Sequence, residues 1–249
     1  QANCEDDVTW AARILNKDLR AGISSSTINK VFPGLVDEFE VCLANQYKPE
    51  KHTLDGNYCI ESKLDGLRMV VVGGKPRTRN GKEITTVSFV LKDLKAQIEK
   101  AGYTLSDFVF DGELMGEGTF DEASGVARRK NENSDTLKYH VFDAIDIAQW
   151  NRKETDSLAE RKMLLGQLLQ TSQFIKPVEW KLIPKFSAAS DLFAMRDDFI
   201  KAGFEGAMIK NLEAPYRFKR SDDLLKFKDF LDADGEIVEA FGGSAKKRE

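Results

Sequence analysis

Lys63, Asp65 and Arg68 fall within one hexapeptide, Lys63-Leu64-Asp65-Gly66-Leu67-Arg68. Cys59-Ile60-Glu61 precedes it and Met69-Val70-Val71-Val72 follows it. The apolar, β-branched flanks read as strands, and the glycine between them as a turn. Strands that meet at a polar turn set charged side chains at a rim where a ligand reaches them. Lys63 is therefore a candidate nucleophile toward a phosphate ester. An ordinary lysine has a pKa of ~10.4, so about one molecule in a thousand carries a free amine near pH 7.4. Lowering that value by ~3 units takes ~4 kcal/mol against the ammonium. Burial and neighbouring cations do this.

Neighbouring cations exist further along the chain. Leu224-Leu225-Lys226-Phe227-Lys228 alternates, so Lys226 and Lys228 share one face of a strand, roughly 7 Å apart at ~3.3 Å rise per residue. That spacing suits a polyphosphate, although on an exposed strand it would be plain solvation. Asp111-Gly112-Glu113 follows the apolar Phe108-Val109-Phe110 and puts two carboxylates at a strand end, suited to a metal or sugar hydroxyls. The same tripeptide is also a common turn. Glu205-Gly206 leads into Ala207-Met208-Ile209-Lys210, an acid and a glycine before a strand that ends in a cation. Lys75 to Lys82 carries four cations around Asn80-Gly81, a hairpin turn or a solvated loop. Tyr216 to Arg220 is a basic and aromatic loop, and Arg128-Arg129-Lys130 is a basic run without an assigned role. His140 reads as an ordinary strand histidine, and Phe142, on its own pattern, as core.

The elements that must hold these groups alternate between strands and helices. Helical spacing predicts helices over residues 8–20, 28–32, 87–101, 157–170 and 191–202, with Gly203 ending the last. Residues 46–56 are polar and turn-rich and lead into the main domain. Residues 139–146 form a buried strand, and residues 235–238 begin another. The 249 residues are 41% hydrophobic and 31% charged, enough for one large domain with pieces of others. No run reaches the ~18 apolar residues of a membrane span, and no signal-peptide pattern opens the chain. Three scattered cysteines and two histidines give no metal spacing and fit a reducing, intracellular setting. The net charge of -4 argues against non-specific polyanion binding, but a local basic face would still serve.

Taken in order, these pieces resemble the covalent nucleotidyltransferases, that is, polynucleotide ligases and mRNA capping enzymes. Lys63-Leu64-Asp65-Gly66-Leu67-Arg68 matches their nucleophile motif, Lys-x-Asp-Gly-x-Arg. Thr78-Arg79-Asn80-Gly81 resembles the Ser-Arg-Asn-Gly segment, with Thr78 in place of serine. Asp111-Gly112-Glu113, Val141-Phe142-Asp143, Glu205-Gly206 with Met208-Ile209-Lys210, and Leu225-Lys226-Phe227-Lys228 match the remaining motifs. The resemblance implies an α+β fold, an ATP-grasp-like nucleotidyltransferase domain of two mainly antiparallel sheets flanked by helices, over residues 46–234. It implies attack of Lys63 on the α-phosphate of ATP, transfer of AMP to a 5′-phosphate, and its displacement by a 3′-hydroxyl. Glu61 would meet the adenine edge and Phe142 would stack on the base. Arg68 and Arg79 would hold ribose or phosphate. Lys226 and Lys228 would bind the α-phosphate and help to activate Lys63. Glu113 would take a ribose hydroxyl or the metal, and Glu205 is the first choice of metal ligand. Asp65, Glu113 and Glu205 oppose activation of the lysine, so Mg²⁺ or hydroxyls should occupy them.

Ile14 to Gly22 and Thr27 to Gly34 are similar to the end of the helical DNA-binding domain of ATP-dependent DNA ligases of the phage type. Residues 1–45 are therefore expected to be a helical remnant, and residues 235–249 the start of an OB-fold domain that is otherwise absent. The expected partner is nicked double-stranded DNA, bound by a cytoplasmic monomer without a membrane. The alternatives are an RNA ligase, a capping guanylyltransferase and a non-catalytic nick-binding module.

Overall fold

A computed structural model describes residues 25–36, 38–116, 137–185 and 187–228. The helix expected over residues 8–20, the basic run at 128–130 and the strand expected at 235–238 lie outside the described residues. The elements are α1 (Ser25–Val31), β1 (Leu43–Gln46), β2 (Tyr58–Lys63), β3 (Leu67–Val72), β4 (Lys75–Thr78), α2 (Ser88–Lys100), β5 (Phe108–Met115) and β6 (Lys138–Asp146). They continue with α3 (Ile147–Arg152), α4 (Leu158–Leu168), β7 (Ile175–Pro177), β8 (Trp180–Leu182), α5 (Ala189–Lys201), β9 (Gly206–Asn211) and β10 (Arg220–Phe227). The architecture is α+β, as the resemblance implied.

Two five-stranded sheets result, in the orders β1-β10-β9-β2-β8 and β4-β3-β5-β6-β7. Neighbouring strands are antiparallel except β1 with β10 and β6 with β7. The hexapeptide is therefore not a hairpin between paired strands. It carries the chain from β2 in the first sheet to β3 in the second. Lys75–Thr78 is itself a strand, and the β3–β4 turn is made by Gly73-Gly74, both at positive φ. Asn80-Gly81 closes the next turn, where the Thr78 amide donates to Lys82 O at 2.7 Å.

Side-chain alternation decides what each face meets. In the first sheet, Ile60, Ala207, Ile209, Leu225 and Phe227 point to a core covered by α5 through Leu192, Met195 and Phe199. Glu61, Lys63, Met208, Lys210 and Lys226 alternate with them and line a cleft. In the second sheet, Met69, Val71, Phe110, Leu114, Tyr139 and Val141 form the largest core with α2 and α4. α2 supplies Val90, Leu94 and Ile98, one per turn along one face. The opposite face of the second sheet is divided. Val70, Val109 and Ile145 pack with Val41, Trp150 and Tyr216, whereas Arg68, Glu113 and Phe142 line the same cleft. Burial on both faces explains why β3 reads as a continuous apolar run.

α4 sits where the two sheets meet. Ser157 caps it, accepting from the Glu160 amide while Glu160 accepts from the Ser157 amide. Leu158 packs on Cys59 of the first sheet, and Leu165 and Leu168 on the core of the second. Arg161 and Lys162 lie on the same buried face.

Candidate active site

The cleft between the sheets has a volume of about 1210 Å³. Its lining holds eight lysines and arginines against three glutamates, so it is strongly positive in a chain of net charge -4. A cleft that concentrates one sign of charge attracts ligands of the other.

Lys63 is the last residue of β2, opposite Gly206 of β9. Its ammonium donates to one oxygen of Glu205, and Lys228 donates to the other at 2.6 Å. Burial pushes the Glu205 carboxyl up, but hydrogen bonds from Lys228 and Lys63 outweigh it and hold the group below the usual carboxylate range. Glu205 is not among the cleft-lining residues; Lys63, Lys226 and Lys228 are.

Two glycines permit this geometry. A Cβ on Gly66 would lie 2.3 Å from Leu114 O, so only glycine lets the hexapeptide press against β5. Gly206 has a φ of 151°, and a Cβ there would meet Phe227 O at 2.4 Å.

A second acid is clamped in the same manner. Glu61, on the cleft face of β2, pairs with Lys162 and, at 2.6 Å, with Lys210. Lys210 is its diagonal neighbour on β9, where Glu61 lies opposite Met208. Burial pulls Lys162 below the ordinary lysine value. For Lys210 burial acts in the same direction, but the charge of Glu61 outweighs it and holds the group up.

Phe142 lines the cleft and joins none of the hydrophobic clusters among the described residues, contrary to the core reading of its pattern. The β5–β6 register explains this. Asp111 pairs with Asp143 and Gly112 with Val141, so Phe142 is the extra residue of a β-bulge. The bulge turns its ring to the cleft, with Lys210 Nζ 4.5 Å from the ring centre and the Arg68 guanidinium at 5.6 Å.

Asp111 and Glu113 lie within β5 rather than at its end. Asp111 is wholly buried and takes both Arg68 Nε, at 2.9 Å, and a terminal Arg68 nitrogen, at 2.6 Å. The Tyr216 hydroxyl donates to it at 2.6 Å. The other Arg68 terminal nitrogen donates to Cys42 O at 2.8 Å. Burial alone would lower the Arg68 pKa, but Asp111 more than compensates and holds it above the ordinary arginine value. Glu113 lines the cleft, and burial pushes its carboxyl up to about 8. Arg79 is exposed at the cleft margin, whereas Asp65 is exposed and does not line the cleft. His140 is half-buried, and burial, with Lys176 and Lys138 nearby, lowers it to about 4.

A family model described as ATP dependent DNA ligase domain matches residues 42–228. The chain belongs to this family. The DNA ligase of Enterobacteria phage T6 is 22% identical over 289 residues, covering 94% of this chain and 57% of the phage protein. The DNA ligase of Haemophilus influenzae is 30% identical over 173 residues, covering 69% of this chain and 58% of that protein. Among solved structures, one named Pmar-Lig_PreS3 matches with a TM-score of 0.70 and 25% identity, over 89% of this chain and 55% of that one. The chain thus spans somewhat more than half the length of these ligases.

Sequence reasoning left Lys162 and Tyr216 out of the site. No described helix is long and apolar enough to cross a membrane. No three His, Cys, Asp or Glu side chains among the described residues cluster as a metal site.

Proposed function

We propose that this chain performs the covalent nucleotidyl transfer of an ATP-dependent DNA ligase. The Lys63 amine attacks the α-phosphate of ATP, pyrophosphate leaves, and AMP remains on Lys63 through a P–N bond. AMP then passes to the 5′-phosphate of a nick in double-stranded DNA, and the 3′-hydroxyl displaces it to close the strand. The observation that carries this reading is the position of Lys63, with Lys226 and Lys228, in a cation-lined cleft.

Each group has a physical task in that reaction. Lys226 and Lys228 offset charge that builds on the phosphoryl oxygens. Glu61 and Phe142 form the wall for the base. Arg79, exposed at the margin, reaches ribose or phosphate. Arg68 is held by Asp111 and the Cys42 carbonyl, so it sets the shape of the cleft as much as it offers a donor. Asp65 would act from outside the cleft. An ammonium paired with Glu205 does not attack, so Lys63 must leave that pair and lose a proton first. Mg²⁺ binds through one or two carboxylates together with phosphate oxygens and water. Glu113, once it has lost its proton, and Glu205, once released by its lysines, would be the carboxylates to hold it. When bound, the metal supplies positive charge that draws carboxylates and phosphate oxygens to itself.

The test is incubation with α-labelled ATP, followed by intact-mass and peptide mass spectrometry. One AMP per chain on Lys63, lost in Lys63→Ala, is the expected result. An unchanged adduct in Lys63→Ala would refute the nucleophile. Preferential labelling by GTP would move the chain to the capping enzymes. Binding to nicked DNA should weaken with salt, since phosphate contacts release counterions.

A further inference from the structure

We infer that Lys162 is a positioning residue that sets the base selectivity of the cleft. It fixes Glu61 and Phe142 in one arrangement that accepts a 6-amino purine and turns away a 6-oxo purine. This rests on reading the cleft as a nucleotide site.

Lys162 is not part of the cleft lining, and its side chain is 1% exposed. A lysine is seldom buried without a task, because its charge is expensive to desolvate. Here one ammonium serves both sheets. It donates to Glu61 on β2 and to the Phe142 carbonyl on β6, the latter at 2.8 Å. That carbonyl belongs to the bulge residue, which has no place in the β5–β6 register. Lys162 therefore holds the bulge that aims the Phe142 ring, and also the carboxylate beside that ring. Lys210 takes the other Glu61 oxygen and lies against the Phe142 ring.

The consequence for a base follows from donor and acceptor counting. A carboxylate accepts only, at about four lone-pair positions. The two lysines use one position on each oxygen. What is left on Glu61 toward the cleft is acceptor capacity, fixed in direction, and the neighbouring donor, Lys210, is already engaged with Glu61 and the Phe142 ring. Adenine carries an amine donor at its 6 position, and guanine carries an oxygen acceptor there. The first pairs with Glu61, whereas the second sets one acceptor against another. Without Lys162 the carboxylate keeps one partner and can swing, and the bulge carbonyl loses its donor.

The experiment uses the full chain with Lys162→Met and Lys162→Arg. Binding of ATP, GTP and inosine triphosphate is measured by calorimetry, and kcat and KM for the Lys63 adduct by label transfer. Inosine triphosphate carries the 6-oxo group without the 2-amino group of GTP, so it isolates the 6 position. The expected result for Lys162→Met is a tenfold or greater fall in the preference for ATP over both 6-oxo nucleotides. The loss should fall on KM more than on kcat, and Lys162→Arg should recover part of it. A folded Lys162→Met protein with lower thermal stability and an unchanged preference would overturn the proposal. Should that variant not fold, Lys162→Gln is read by the same ratio. If the unaltered chain forms no adduct, the ligase reading fails, while the ratio of binding constants still decides the role of Lys162.

Discussion

The Lys63 ammonium donates to the Glu205 carboxylate, tying the last residue of β2 to the residue before β9. The contact holds the candidate nucleophile in place. Glu205→Gln keeps the shape of the anchor but weakens both lysine contacts, because a neutral amide accepts at only one of its two ends. Lys63 is then held less firmly, and a displacement near 1 Å at a reacting group costs on the order of 100-fold in rate. Adduct formation should slow accordingly, and single-turnover label transfer at saturating ATP measures it. A parental rate in Glu205→Gln would show that the ion pair has no part in placing Lys63.

Glu113 makes the stability of the fold depend on pH. Burial is the largest cause of its rise from 4.5 to about 8; Asp111 adds to it, and Arg68, Lys63 and the Gly66 amide act against it. Between those values the folded chain keeps a proton that the unfolded chain has released. The stabilisation is complete below about 4.5 and is lost as the pH rises through about 8. The slope for one proton is at most about 1.4 kcal/mol per pH unit. Glu113→Gln should abolish it. Denaturant unfolding at about pH 5 and about pH 8.5 should therefore show the variant gaining on the parent protein as pH rises. Parallel losses in the two proteins would rule out the buried, protonated carboxyl.

Most of the strands and helices were legible because their apolar residues repeat at the period of the element. The site was legible only where a motif is contiguous. Lys63 and Arg68 share a hexapeptide, but nothing in it shows that β2 and β3 enter different sheets, because sheet membership depends on partners distant in sequence. Phe142 read as core because strand alternation hides a bulge, and the bulge appears only in the register against β5. Lys162 was missed because Glu160-Arg161-Lys162 looks like a solvated helical turn. A signal was present, since Leu158, Arg161, Lys162, Leu165 and Leu168 recur at helical spacing, which places two charges on the apolar face. Apolar Met163, meanwhile, is 66% exposed.

Arg68 should behave as a structural tie within the second sheet as well as a cleft residue. Its partner Asp111 has no exposed surface, so Arg68→Ala leaves an uncompensated buried carboxylate. Removing one member of a buried ion pair costs about 3–5 kcal/mol. Tyr216→Phe removes one hydrogen bond to the same carboxylate and should cost about 1.5–3 kcal/mol. Urea unfolding measures both. A loss below ~1 kcal/mol for Arg68→Ala would mean that the guanidinium is not structural.

Gly66 should be needed for the reaction more than for the fold. A Cβ at this position would lie 2.3 Å from Leu114 O and 2.7 Å from Met115 Sδ. The methionine side chain can turn aside, but the carbonyl belongs to the β3–β5 ladder, in which Leu67 pairs with Leu114. Gly66→Ala must therefore lift the hexapeptide from β5. Both sheet cores, built from residues on either side of the turn, can stay closed while it moves. The shift falls on Lys63, three residues away and fixed by its ladder position opposite Gly206. A displacement near 1 Å at a reacting group costs on the order of 100-fold in rate. Gly66→Ala should slow formation of the Lys63 adduct by about that factor while the circular dichroism spectrum stays native. Adduct formation at the parental rate would show that the close approach to β5 has no part in placing Lys63.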